Sequence, residues 1–151
     1  MLDEESRQMG SATDQCIGDV MVGPTSPIKE TAVLPEISNI FLKSPRNYLP
    51  VLSNDKRLVG IISLQDVKAH LNAGEELRAV IALDLMRPVK TMLTPNARLM
   101  DALPTIMGSE MEMIPVVNSE REMRLVGSVS RGKTLGLLSE AIGESSQENQ
   151  I

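Results

Sequence analysis

Apolar positions along this chain follow two alternating periods, and the whole alternation occurs twice. Leu34 and Phe41 stand two helical turns apart on one face of a helix expected at about 33–43, and Leu99 and Ile106 do the same at about 97–107. Each helix follows a short extended segment, "TSPIKE" (25–30) or "VKTML" (89–93). After each come two strand-like runs across a polar turn, 48–52 with 57–62 and 113–117 with 123–129. The turns hold Ser53-Asn54-Asp55 and Asn118-Ser119, residues whose side chains bond their own backbone in tight bends. A closing helix is expected at 63–72 and again at about 133–142, and "EELRAVIALDLM" between the copies reads as a further helix.

The two copies align residue by residue. "YLPVLSNDKRLVGIISLQDVKAHL" (48–71) lies over "MIPVVNSEREMRLVGSVSRGKTLGLL" (113–138), with Pro50 on Pro115. The same 65-residue offset puts "GDVM" (18–21) on "LDLM" (83–86), with Asp19 on Asp84 and Met21 on Met86. Beyond the central turn, two residues longer in the second copy, the offset becomes 67 and Gly60 meets Gly127. One such unit is too small to bury a sheet face alone, so two should pack as one pseudo-symmetric pair. The fold class expected is α/β (α+β), with two β-α-β-β-α units. Pro104 is the local conflict, since proline inside a helix costs about 3 kcal/mol; that helix should start late or kink.

Composition narrows the chemistry. Phe41 and Tyr48 are the only aromatics in 151 residues, so Ile, Leu, Val and ten Met must build the core. The net charge of -5 sits at the ends, -3 in residues 1–15 and -2 in 143–151, leaving the body formally neutral. Both ends lack hydrophobic periodicity and are expected to be disordered. The divisions expected are an acidic N-terminus 1–15, a first unit 16–74, a linker helix with the second unit 75–142, and a tail 143–151. A neutral body gives no footprint for nucleic acid. Cys16 is the only cysteine, which excludes an internal disulfide, and no apolar run approaches the roughly 20 residues that span a bilayer. His70 is the only histidine and no second Cys accompanies Cys16, too few for a His/Cys metal site, and an enzyme is not expected.

"GSVSRGKT" (127–134) fits the phosphate-loop pattern G-x-x-x-x-G-K-[ST], so nucleotide hydrolysis is a remote alternative. The repeat argues against it, because "GSVS" aligns with the strand "GIIS", and only 17 residues follow Thr134.

A strand with h-x-P, then "RLVGIIS", then S-x-x-D opening a helix resembles the cystathionine-β-synthase-type (CBS) domain over residues 16–142. The resemblance implies a disc-like pair of units whose clefts bind adenine nucleotides, and a regulatory module that forms homodimers. "FLKSPRNYLPVL" (41–52) and "SLQDVKAHLNAGEELRAVIALDLMRP" (63–88) are similar to the cytoplasmic C-terminal pair of bacterial CLC-type chloride channels and transporters. That likeness implies a membrane domain as partner and a place at the inner face of the membrane. No cofactor is required; AMP, ADP or ATP would be the regulatory ligand. A purely structural dimerisation module that binds nothing is the alternative.

Ser63-Leu64-Gln65-Asp66 reads by itself as a helix cap, with Ser63 bonding a backbone N–H and Asp66 facing the positive helix end. The resemblance adds that Asp66 accepts from ribose hydroxyls, a carboxylate offering acceptors to both O–H groups of a vicinal diol. It implies a first cleft of Ser63, Gln65, Asp66, Lys90 and Thr91, with Met111 and Glu112 beside the base and Leu49 and Ile62 as apolar walls. The second cleft would hold Thr25, Ser26, Arg46, Asn47, Ser130 and Lys133. Lys133 stands where the ribose carboxylate should be and cannot accept a hydrogen bond. A degenerate, empty cleft is expected there, an anion held by Arg46 and Lys133 being the alternative.

Overall fold

Tyr48–Leu52 (β2) and Leu58–Ser63 (β3) form an antiparallel hairpin, and Ile28–Lys29 (β1) adds a parallel strand beside β2. In this computed structural model, which describes residues 14–73 and 79–148, the second unit repeats the hairpin as Met113–Val117 (β4) with Leu125–Ser130 (β5). Its opening strand shrinks to one parallel bridge, Leu93 with Val116. The register repeats too: Val51 faces Gly60 and Val116 faces Gly127, and each hairpin shifts register at the next residue. Both turns use a left-handed residue that is not glycine, Lys56 (φ 64°) and Met123 (φ 57°).

The helices are Ile17–Val20 (α1), Leu34–Lys43 (α2), Leu64–Asn72 (α3), Ala82–Leu85 (α4), Leu99–Met107 (α5) and Arg131–Glu148 (α6). Pro35 falls in the first turn of α2, where its missing N–H would have no helical partner anyway. Pro104 lies inside α5, and the helix starts at Leu99, two residues later than expected. Burial of Leu99, Ala102 and Ile106 holds it in place.

Two other expectations are corrected. The linker helix "EELRAVIALDLM" reduces, among the described residues, to α4, because Ile81 is extended and both it and Val80 are tied to the first unit: Leu34 N–H donates to Val80 O at 3.2 Å and Val33 bridges Ile81. The last helix begins at Arg131 and continues to Glu148 instead of ending near 142, no proline interrupting it. Residues 1–13, 74–78 and 149–151, with the parts of the expected N-terminus, linker and tail that fall on them, lie outside the described residues.

The units are not contiguous stretches of chain. α1 docks on the second unit: Ile17 N–H donates to Ala97 O at 2.9 Å, Gly18 N–H to Pro95 O at 2.9 Å, and Leu99 N–H to Gln15 O at 2.8 Å. α4 mirrors this on the first unit, with Ala82 N–H to Ala32 O at 2.8 Å and Leu83 N–H to Glu30 O at 2.9 Å. Asp19 and Asp84 play matching parts, each accepting from the backbone N–H three residues before, Cys16 at 2.9 Å and Ile81 at 3.0 Å. The cores follow this exchange. Ile28, Leu34, Ile37, Phe41, Leu49, Val51 and Ile62 pack with Val80, Ala82 and Leu85. Ile17 joins Leu93, Leu99, Ile106, Ile114, Val116 and Val129.

Past each short helix the chain crosses back. Val22 and Ser128 exchange backbone bonds at 2.8 and 2.9 Å, and Arg87 and Ile61 at 2.8 and 3.0 Å. Glycine is required at both crossings: a Cβ on Gly60 would lie 2.7 Å from Met86 Sδ, and one on Gly127 would lie 2.7 Å from Val22 O. The Gly60/Gly127 match in the repeat thus has a steric cause.

Candidate functional site

The crossing segments place parts of both units around two clefts at the Ser63 and Ser130 ends of the hairpins. In the first, of about 370 Å³, α3 supplies Gln65 above its N-cap Ser63, and β2 and β3 supply Tyr48 and Ile61. The opposite side is Arg87, Pro88, Lys90 and Thr91 from the segment after α4, with Glu110 and Met111 from the loop before β4. Ser63, Gln65, Lys90, Thr91 and Met111 are therefore brought together as the sequence suggested.

Leu49 and Ile62 are not walls of this cleft. Both are fully buried in the first core. Alternate residues of a strand face opposite sides, so their neighbours Tyr48 and Ile61 turn toward the cleft. Glu112 is also misplaced by the sequence reading; it belongs to the second cleft.

Asp66 holds the cap that its pattern predicts. Ser63 Oγ accepts from Asp66 N–H at 3.1 Å and donates to Asp66 Oδ2 at 2.8 Å. Its principal partner is one that sequence reasoning missed. Arg87 donates from Nε to Oδ2 at 2.8 Å and from Nη2 to Oδ1 at 2.6 Å, a two-pronged pair. The Asp66 side chain is only 16% exposed and that of Arg87 is 69% exposed, so the guanidinium, not the carboxylate, forms the cleft surface. Arg87 holds the Asp66 carboxyl below its ordinary range, with Ser63 assisting and burial opposing. The guanidinium is in turn held protonated by Asp66 first, with Tyr48 and Glu110 adding.

A pH dependence follows. Because the folded value is depressed, the stabilisation is full above the unfolded value, about pH 4, and is lost as pH falls through the folded one. Thermal melts taken from about pH 5 downward should show a shallower acid loss for Asp66→Asn than for the wild type. Part of the slope should survive, because Asp55, lowered by Ser53 and Arg57, contributes in the same direction. Identical slopes in the two proteins would remove this role from Asp66.

The second cleft, of about 670 Å³, is built from Val20 at the end of α1 and Val22 just after it, Arg46, Glu112 and Met113, and Ser130, Lys133, Thr134 and Leu137 from β5 and α6. It brings Arg46, Ser130 and Lys133 together. Asn47 lies in an adjoining hollow with Arg46, Glu110 and Glu112, and Thr25 lines a narrow gap beside Gly127 and Ser128. Ser26 lines none of these. The N-terminus of α6 is already occupied: Glu112 Oε1 accepts from Gly132 N–H and from Ser130 Oγ, both at 3.0 Å. A carboxylate on those donors opposes a phosphate there. The phosphate-loop reading of "GSVSRGKT" fails on geometry, because Ser130 ends β5 and Arg131 begins α6 with no loop between.

Residues 17–73 match the CBS domain family. CBSX2 from Arabidopsis thaliana superposes with a TM-score of 0.70 at 20% identity, covering 85% of this chain and 96% of that one. CBSX2 in complex with AMP gives a TM-score of 0.67 at 21% identity, covering 83% and 97%. CbpB in complex with c-di-AMP gives 0.76 at 15%, covering 95% and 97%. Among curated proteins, a homoserine O-acetyltransferase of Methanohalobium evestigatum is 21% identical over 114 residues, 76% of this chain. The chain spans about a fifth of that protein's length, 22% of it. The chain thus shares the fold of the CBS-pair proteins on which it superposes.

Proposed function

We propose that this chain is a regulatory module that binds an adenine nucleotide in the Asp66 cleft. The observation that carries the reading is the cleft itself: the capped Ser63-Asp66 turn of one unit faces Arg87, Lys90 and Thr91 of the crossing segment, beside Tyr48, Ile61 and Met111. This set pairs a diol acceptor with cations for phosphate and apolar surface for a base. The AMP complex of CBSX2 and the c-di-AMP complex of CbpB support adenine nucleotides as the ligand class. A ligand that touches both units favours one relative packing of them, and an attached domain responds to that difference. The resemblance to chloride-channel CBS pairs makes a membrane domain the attached partner in this proposal. No helix among the described residues is long and apolar enough to cross a membrane.

A second reading, a dimerisation module that binds no ligand, is favoured by one observation: Asp66 and the N-terminus of α6 both already have internal partners. Thermal unfolding with AMP, ADP or ATP near millimolar separates the two. A ligand at 100 times its Kd stabilises by about 2.7 kcal/mol, a shift of several degrees. The shift is expected in the wild type and absent in Asp66→Ala. A dimer that ignores every nucleotide would establish the second reading instead.

A further inference from the structure

We infer that Arg87 is the specificity-determining residue of the Asp66 cleft and selects nucleotides that carry a phosphate over the free nucleoside. The inference rests on the nucleotide reading above and names its ligand class.

Asp66 cannot receive a ribose diol while Arg87 holds both its oxygens. A ligand must exchange with Arg87, and the displaced guanidinium loses two charge-assisted bonds. A free nucleoside gives it nothing in return. A nucleoside monophosphate does: its diol replaces the guanidinium on Asp66, and its phosphate receives Arg87 beside Lys90, which lines the same cleft.

The other cleft shows that the two partners vary together. Val22 holds the place equivalent to Arg87, making the same backbone exchange with β5 that Arg87 makes with β3. Lys133 holds the place of Asp66. Where the carboxylate is missing, the guanidinium is missing too. Arg87 is mostly exposed and takes part in neither hydrophobic core, so its replacement should leave the fold intact, which the melting temperature checks.

The test is calorimetric titration of AMP and adenosine into wild type, Arg87→Met and Arg87→Lys. The wild type should bind AMP at least about tenfold more tightly than adenosine. In Arg87→Met, AMP should weaken about tenfold and adenosine should tighten, so that the two converge; Arg87→Lys should fall between. Equal binding of AMP and adenosine by the wild type, or unchanged discrimination in Arg87→Met, overturns the inference and leaves the nucleotide reading standing. Failure of every ligand to bind either the wild type or Arg87→Met overturns that reading itself.

Discussion

Ile17→Ala should destabilise the protein by about 2–5 kcal/mol, although Ile17 precedes the whole first unit in sequence. The side chain is fully buried, and its neighbours are Leu99, Ile106, Ile114 and Val129 of the second unit. Truncation removes buried methyl groups and leaves a cavity that the anchored α1 cannot easily close, since Ile17 and Gly18 are tied by backbone bonds to Ala97 and Pro95. Hydrogen exchange should locate the damage: amides of β4, β5 and α5 should lose protection before those of β2 and β3. Val33→Ala, at a partly exposed apolar position, is the control, with a change within about 0.5 kcal/mol. Loss of protection centred on the first unit would refute the exchange of opening segments.

Gly127→Val is the second large effect. The new Cβ would lie 2.7 Å from Val22 O and 3.0 Å from Met21 Sδ. The methionine end can move, but the carbonyl cannot easily do so, because it accepts from Ser128 N–H at 2.9 Å and its own N–H donates to Ser128 O. The crossing strand must separate from β5 or the hairpin must distort. Overpacking of this kind costs about 1–3 kcal/mol or more, a fall in melting temperature of roughly 2–10 °C at this size. Gly136→Val is a comparison for space, since a Cβ there meets nothing within 4 Å; it should be much milder. Similar losses in both variants would mean that valine itself, and not the contact with Val22, is responsible.

The repeat was legible because it is local. Matching letters at offsets of 65 and 67 reproduce the paired bridges of the structure: Ile28 with Val51 recurs as Leu93 with Val116, and Val22 with Ser128 recurs as Arg87 with Ile61. The Ser63 cap was legible for the same reason, its donor and acceptor lying three residues apart. The exchange of α1 and α4 was not, because nothing near Ile17 signals which of two similar cores it enters. Leu49 and Ile62 illustrate a different limit: an apolar strand shows a period of two but not which set faces the core when both sides are covered. Arg87 was missed because its partner lies 21 residues away across a chain crossing, and "MRP" carries no local mark of a buried carboxylate. Glu112 was placed in the wrong cleft because the loop before β4 borders both, and only its bonds to Ser130 and Gly132 show the side it takes.

The exchanged segments also bear on how the two clefts came to differ. A single unit could complete its core only by lending its opening segment to a second copy, and in a pair of identical chains both clefts would have to be the same. Joining the copies in one chain removes that constraint: Asp66 with Arg87 on one side and Lys133 with Val22 on the other require different residues at equivalent places. Covalent linkage thus allows a symmetric architecture to diverge, with one half keeping a charged latch while the other gives its helix terminus to an internal carboxylate.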